Sequence, residues 1–179
     1  MSAASPARHV AAVVVVAMAE EAEPFLNALP ERGAAEPEPP TPLGEARARS
    51  LRLPGEQAER ELILVRSGIG LVAAASALAT ILTRVRPDAI VSAGTTGGLG
   101  REVEVGDVCA STALAYTDAD ATAFGYAYGQ TPGQPAVFEG DPALLSRLAA
   151  VGPAALAGAT PSSGSARIRT GQMLSGNSF

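Results

Sequence analysis

The chain has 179 residues, 47% hydrophobic and 17% charged, with a formal net charge of -5. That length allows one domain with a substantial core and is short for two, and the negative balance, with no Arg cluster, excludes the basic face that nucleic-acid binding needs. All 13 basic residues are Arg, which excludes a Schiff-base lysine and a phosphate-cradling P-loop lysine.

Val10 to Ala17 is a continuous Val-rich run, the pattern of a strand covered on both faces. Arg8 followed by "HVAAVVVVAMA" also looks like an export signal, but the run leads straight into Glu20, Glu21 and Glu23 on a helix-like segment, as a buried first strand does. A cytoplasmic protein is expected. The segment "EEAEPFLNALP" predicts a short helix, acidic in its first turn where the dipole favours anions, with Pro30 just past its end. Residues 31–59 turn to Pro, Glu, Gly and Arg and predict a loop leading into a hairpin, with Ala46 to Leu53 as one arm.

"ELILVRSGIG" is a strand running into a glycine turn, and "LVAAASALATILTRV" is apolar nearly all round, as a helix buried against a sheet should be. A strand from Asp88 to Ala93 then ends in "GTTGGLG". Where parallel strands deliver two such loops to one carboxyl edge, small ligands bind. "VEVGDVCASTALAY" predicts another strand with Gly106-Asp107 as its turn, and the lone Cys109 within it reads as a small core residue of a reducing compartment. The single His9 reads as a surface residue at a strand end. "DPALLSRLAAVG" predicts a helix capped by Asp141 with Leu144, Leu145 and Leu148 on one face, and "ARIRTGQMLSG" a strand ending at Gly176. No apolar run approaches the roughly 20 residues that span a bilayer, so no membrane partner is expected.

Three features invite chemistry. Glu21, at a strand-to-helix junction, suits a general base or a clamp on a sugar hydroxyl, yet Glu20, Glu21 and Glu23 equally suit a helix N-terminus. "SGIG" and "GTTGG" suit close backbone approach to an anion or a sugar, or tight helix-on-strand packing. Finally Tyr116, Phe124, Tyr126 and Tyr128 crowd into "YTDADATAFGYAYGQTPGQP" in a chain with only 3 Tyr, 4 Phe and no Trp.

Taken in order, "AMAEEAEPFLNAL", "SGIGLVAAASA", "RPDAIVSAGTTGGL", "VEVGDV", "DADATAFGYAYGQTPGQP" and "LSGNSF" resemble the bacterial 5'-methylthioadenosine/S-adenosylhomocysteine nucleosidases of the nucleoside phosphorylase superfamily, from about Val13 to Phe179. The resemblance implies an α/β fold of three layers, a central mixed twisted sheet flanked by helices, forming a single domain over residues 1–179, with the family's remaining C-terminal strands and helices absent after Phe179. It implies hydrolysis of the N-glycosidic bond of either nucleoside to adenine and a thioribose product, in methionine salvage, with no metal and no organic cofactor. Glu21 falls on the family's water-activating glutamate and Met18 on its 5'-side methionine. Ile69 falls in the alkylthio pocket, Thr95 and Gly97 near the ribose and attacking water, and Phe179 on the aromatic that stacks on adenine. Ala121, Phe124, Tyr126 and Pro132 fall on the loop that lines the 5'-thio pocket of the partner in a homodimer, where aromatic side chains offer apolar area to a thioether.

Cleaving a ribosyl–adenine bond calls for a base to aim water and an acid to protonate the leaving purine. The resemblance places that acid, an aspartate, well beyond Phe179, and this sequence has no Asp, Glu or Lys after Asp141. The expectation is therefore either a fragment of a longer enzyme or a truncated, inactive relative. Thr96 stands where the family commonly has Ala, and Asn177 where Asp is common. The nearest enzymatic rival is a purine or uridine phosphorylase of the same superfamily, against which the acidic "AEEAE" argues because it would repel phosphate.

Overall fold

A computed structural model describes residues 7–30, 46–55, 58–157 and 165–177. The elements are β1 (Arg8–Val16), α1 (Ala19–Ala28), β2 (Arg47–Leu53), β3 (Arg60–Arg66), α2 (Leu71–Leu82), β4 (Val85–Ser92), β5 (Val108–Tyr116), a 3-10 turn (Thr122–Phe124), β6 (Phe138–Glu139), α3 (Pro142–Leu156) and β7 (Ile168–Ser175). They fall into two compact units, Met1–Thr95 and Thr96–Phe179.

The first unit holds a mixed sheet in the order β2-β3-β1-β4. β1 lies parallel to both β3 and β4, while β2 runs antiparallel to β3 as the expected hairpin arm. Side chains alternate across a strand, so the Val run of β1 serves both faces. Val13 and Val15 pack with Ala77, Leu78 and Ile81 of α2, and Val14 and Val16 with Ala22, Phe25 and Leu26 of α1. Leu51 and Ile63 are fully covered, and each such burial contributes about 1.5–3 kcal/mol. The carboxylate of Glu61, buried between strands, accepts from Arg8 Nε at 3.2 Å, Arg8 Nη2 at 2.9 Å and the Ser50 hydroxyl at 2.7 Å, joining β1, β3 and β2. His9 is exposed at the start of β1 and pairs with Asp88 at 2.6 Å.

The second unit holds a sheet in the order β6-β5-β7, with β6 antiparallel and β7 parallel to β5, and α3 packs on β5 and β7. Asp141 caps α3 as its sequence position predicts, its Oδ1 accepting from the N–H groups of Ala143 at 2.8 Å and Leu144 at 2.9 Å. Asp107, its side chain 2% exposed, ties the turn before β5 to β7 by accepting from Glu104 N–H, Arg169 Nε and Arg167 N–H, and these bonds hold its carboxyl below the usual range. Cys109 is half-buried in β5.

The α/β class, the mixed strand directions and the flanking helices are as the sequence predicts, with the strands divided between two sheets. The extents of some elements differ. β4 starts at Val85 rather than Asp88, because α2 stops at Leu82 and Arg84 and Val85 already join the ladder beside β1. Pro87 is tolerated because β4 has a neighbour on one side only in its sheet. α3 continues to Leu156, through Gly152 and Pro153. β6, two residues long, is absent from the sequence reading. The stretch 31–45, residues 56–57 and Phe179 lie outside the described residues.

Candidate active site

Three parallel strands bring their carboxyl ends to one edge of the first sheet, and backbone bonds fasten those ends together. Ser67 N–H donates to Val16 O at 2.8 Å, Gly68 N–H to Ala17 O at 3.2 Å and Ala93 N–H to Val15 O at 2.9 Å. The "SGIG" turn and the start of "GTTGG" therefore flank Ala17 and Met18, where β1 becomes α1.

Glu21 is the third residue of α1, the position from which a carboxylate reaches back to the helix start. Its Oε2 accepts from the N–H groups of Ala17 at 2.9 Å and Met18 at 3.1 Å. Its Oε1 accepts from Thr95 twice, from the N–H at 2.8 Å and the hydroxyl at 3.0 Å. Partial burial pushes the carboxyl up, but these four bonds, from Thr95, Ala17 and Met18 N–H and from the Thr95 hydroxyl, outweigh it and hold Glu21 below the usual glutamate range. The group is an anion at neutral pH. With two donors on each oxygen its lone pairs are occupied, and only the Thr95 hydroxyl can leave by simple side-chain rotation, since the other three donors are backbone.

The approach is close enough to dictate a glycine. A Cβ on Gly94 would lie 2.6 Å from Glu21 Oε1 and 2.9 Å from its carboxyl carbon. Sequence reasoning singled out the loop but missed Gly94 and the Ala17 N–H. The usable signal was a Gly placed immediately after a buried-type strand, where backbone or ligand must pass close.

Met18 is the half-buried N-cap residue of α1. Ile69 is 62% exposed, held out between Gly68 and Gly70, whose φ of 87° and 104° suit glycine. Met18, Glu21, Ile69 and Thr95 thus gather at one sheet edge. Gly97 belongs to the second unit, where it is exposed and a Cβ built on it would meet open space.

In that second unit the aromatic stretch forms a closed loop. Phe124 N–H and Tyr126 N–H both donate to Ala121 O, at 2.9 and 3.4 Å, so one turn joins those three predicted residues. Asp120 braces the turn by accepting from Thr122 N–H at 3.0 Å and its hydroxyl at 2.7 Å. Two of the aromatics act as supports: Tyr116 meets Phe138 edge-on at 6.2 Å, and Tyr128 donates to Thr117 O at 2.9 Å. Phe124 is presented outward at 82% exposure, Tyr126 is half-buried, Ala121 is buried and Pro132 is exposed. Phe179 lies outside the described residues, and no described helix is long and apolar enough to cross a membrane.

Comparison with known proteins follows the same lines. Residues 11–179 match the phosphorylase superfamily. A 5'-methylthioadenosine/S-adenosylhomocysteine nucleosidase of Listeria innocua is 45% identical over 93 residues, 52% of this chain and 40% of that protein. The protein of the same name from Actinobacillus succinogenes is 40% identical over 125 residues, 70% of this chain and 50% of that one. The crystal structure of such a nucleosidase from Neisseria meningitidis, in complex with methylthio-immucillin-A, superposes with a TM-score of 0.72 at 30% identity, covering 94% of this chain and 65% of that chain. The chain therefore spans about half the length of the curated relatives it matches.

Proposed function

The chain belongs to the phosphorylase superfamily, and on that premise we propose that its protein hydrolyses the N-glycosidic bond of 5'-methylthioadenosine and S-adenosylhomocysteine, releasing adenine and the thioribose product. The observation that carries the reading is the Glu21 carboxylate, an anion fixed by four donors at the junction of three parallel strand ends. Similarity to named nucleosidases supports the choice of substrate.

In the reaction an oxygen–C1' bond forms from water while the C1'–N9 bond breaks, its electron pair leaving on adenine, which takes up a proton. Positive charge develops on the ribose, and a fixed anion stabilises it without reorganisation. Water bonding to such a carbon becomes strongly acidic, so a carboxylate of low pKa suffices to accept its proton. For water to reach Oε1 the Thr95 hydroxyl rotates away, leaving the Thr95 N–H to hold the carboxylate in place. No residue of this chain is assigned to protonate adenine.

In this reading Met18 and Ile69 serve the 5' side, Thr95 and Gly97 the ribose and water, and Phe179 the adenine. Ala121, Phe124, Tyr126 and Pro132 wall the 5'-thio pocket of a second subunit in a homodimer, a role that the outward Phe124 supports. The family match runs across both compact units, which supports a single domain. The protein works in the cytoplasm, in methionine salvage.

The test is adenine release from both nucleosides by the protein as its gene encodes it, with and without inorganic phosphate. Turnover indifferent to phosphate supports the hydrolase. Turnover that requires phosphate makes the protein a phosphorylase, and tight binding of an adenosine-like transition-state mimic without turnover makes it an inactive relative.

A further inference from the structure

We propose that Asp118 is a positioning residue that locks the aromatic loop to the end of β7, and so holds Phe124 and Tyr126 in register with the segment that leads on to Phe179 in the sequence. The proposal deepens the nucleosidase reading and rests on it for the identity of the ligand.

β5 and β7 pair from Val108 opposite Ile168 to Tyr116 opposite Ser175, with a register shift at Thr112, and Thr117 N–H closes the ladder on Ser175 O at 2.9 Å. Beyond that point the two chains would separate, β5 into the aromatic loop and β7 into Gly176 and Asn177. One side chain keeps them together: Asp118 Oδ2 accepts the Asn177 N–H at 2.6 Å, across 59 positions. A bond to an ionised acceptor is the stronger kind. The sequence of the β7 end is adapted to this approach, because a side chain on Gly176 would run into the Thr117 hydroxyl and the Asp118 carboxylate.

The loop in turn closes on the residues that Asp118 secures. Gly129 N–H donates to Ala119 O at 2.8 Å and Tyr128 donates to Thr117 O at 2.9 Å. Gly129 itself has φ of 84°, and a Cβ there would lie 2.7 Å from Tyr116 O. Asp120, two residues on, shows the alternative use of an aspartate, with its bonds made locally to Thr122. Asp118 instead reaches across to the chain beyond β7, so its loss frees the loop from that anchor and loosens the longer bonds that close it, Tyr126 N–H to Ala121 O and Gly129 N–H to Ala119 O.

The experiment compares Asp118→Ala and Asp118→Asn with the wild type, in the protein as its gene encodes it. Asn keeps a carbonyl that can accept the Asn177 N–H, and Ala does not. Asp118→Ala is expected to raise KM for methylthioadenosine roughly tenfold, the loss of one such bond, with kcat within about twofold, and Asp118→Asn to recover most of the loss. Amide hydrogen exchange, read without substrate, should show Asn177 and the loop amides Tyr126 and Gly129 protected in the wild type and Asp118→Asn but fast in Asp118→Ala. A wild-type KM in Asp118→Ala, or loss of protection at Asn177 alone with the loop amides unchanged, overturns the proposal by reducing Asp118 to a local pin. If the wild type hydrolyses neither nucleoside, the nucleosidase reading fails while the exchange arm still decides whether Asp118 holds the loop.

Discussion

Glu21 and Thr95 stand 74 positions apart and meet on a single oxygen, with Thr95 donating its N–H at 2.8 Å and its hydroxyl at 3.0 Å to Glu21 Oε1. The pair joins the start of α1 to the loop after β4, and Gly94 leaves the room for it. Of the four donors, the hydroxyl is the one whose removal tests the arrangement without touching the backbone.

Thr95→Val removes that donor and keeps the shape. Its loss should raise the Glu21 pKa from its depressed native position toward the ordinary 4.5, moving the acid limb of the pH–rate profile upward. The sign for stability follows from the depression: the contribution is full above 4.5, the ordinary value, and is lost as pH falls through the lower native one. Thr95→Val should therefore be about 1 kcal/mol less stable at pH 7, with the gap closing in acid, whereas Thr95→Ser should match the wild type. Urea denaturation at pH 7 and pH 3 checks this, and an equal deficit at both would show that the hydroxyl does not act through the Glu21 charge.

Phe124→Ala separates the loop's ligand role from its packing role. Because the ring is 82% exposed, its loss should change stability by no more than about 0.5 kcal/mol. If the ring covers the 5'-thio group, KM for methylthioadenosine should rise roughly tenfold while the affinity for adenine stays the same. Unchanged KM would remove Phe124 from the pocket.

What the sequence made legible depended on where the decisive forces act. β1 was readable because a Val-rich run packs on both faces of its sheet, and α2 because its sequence is apolar, although only Ala77 and Ile81 of that helix are buried and Val72 is exposed. The Asp141 cap was readable because its bonds are local. The extension of α3 was not, because Gly152 and Pro153 look like breakers. Gly152 is instead buried where a Cβ would lie 3.1 Å from Ile168 and 3.2 Å from Leu148, so a residue that costs helix propensity is used to let α3 approach β7. Nothing in "FE" marks Phe138 and Glu139 as a strand; β5 supplies the pairing. At the site, composition and spacing left Glu21 undecided between helix capping and chemistry. It caps α1 through Ala17 and Met18 while Thr95 holds its other oxygen, a contact between distant segments that no local pattern encodes.

Whether the Glu21 carboxylate serves hydrolysis is decided by the rate of adenine release from methylthioadenosine by Glu21→Gln, in the protein as its gene encodes it. Gln keeps the size and one accepting oxygen but not the charge. The expected result is a folded protein that still binds adenine, with kcat lower by roughly 10²–10⁴-fold. Adenine release within a few-fold of the wild-type rate would contradict it and leave Glu21 as a helix cap.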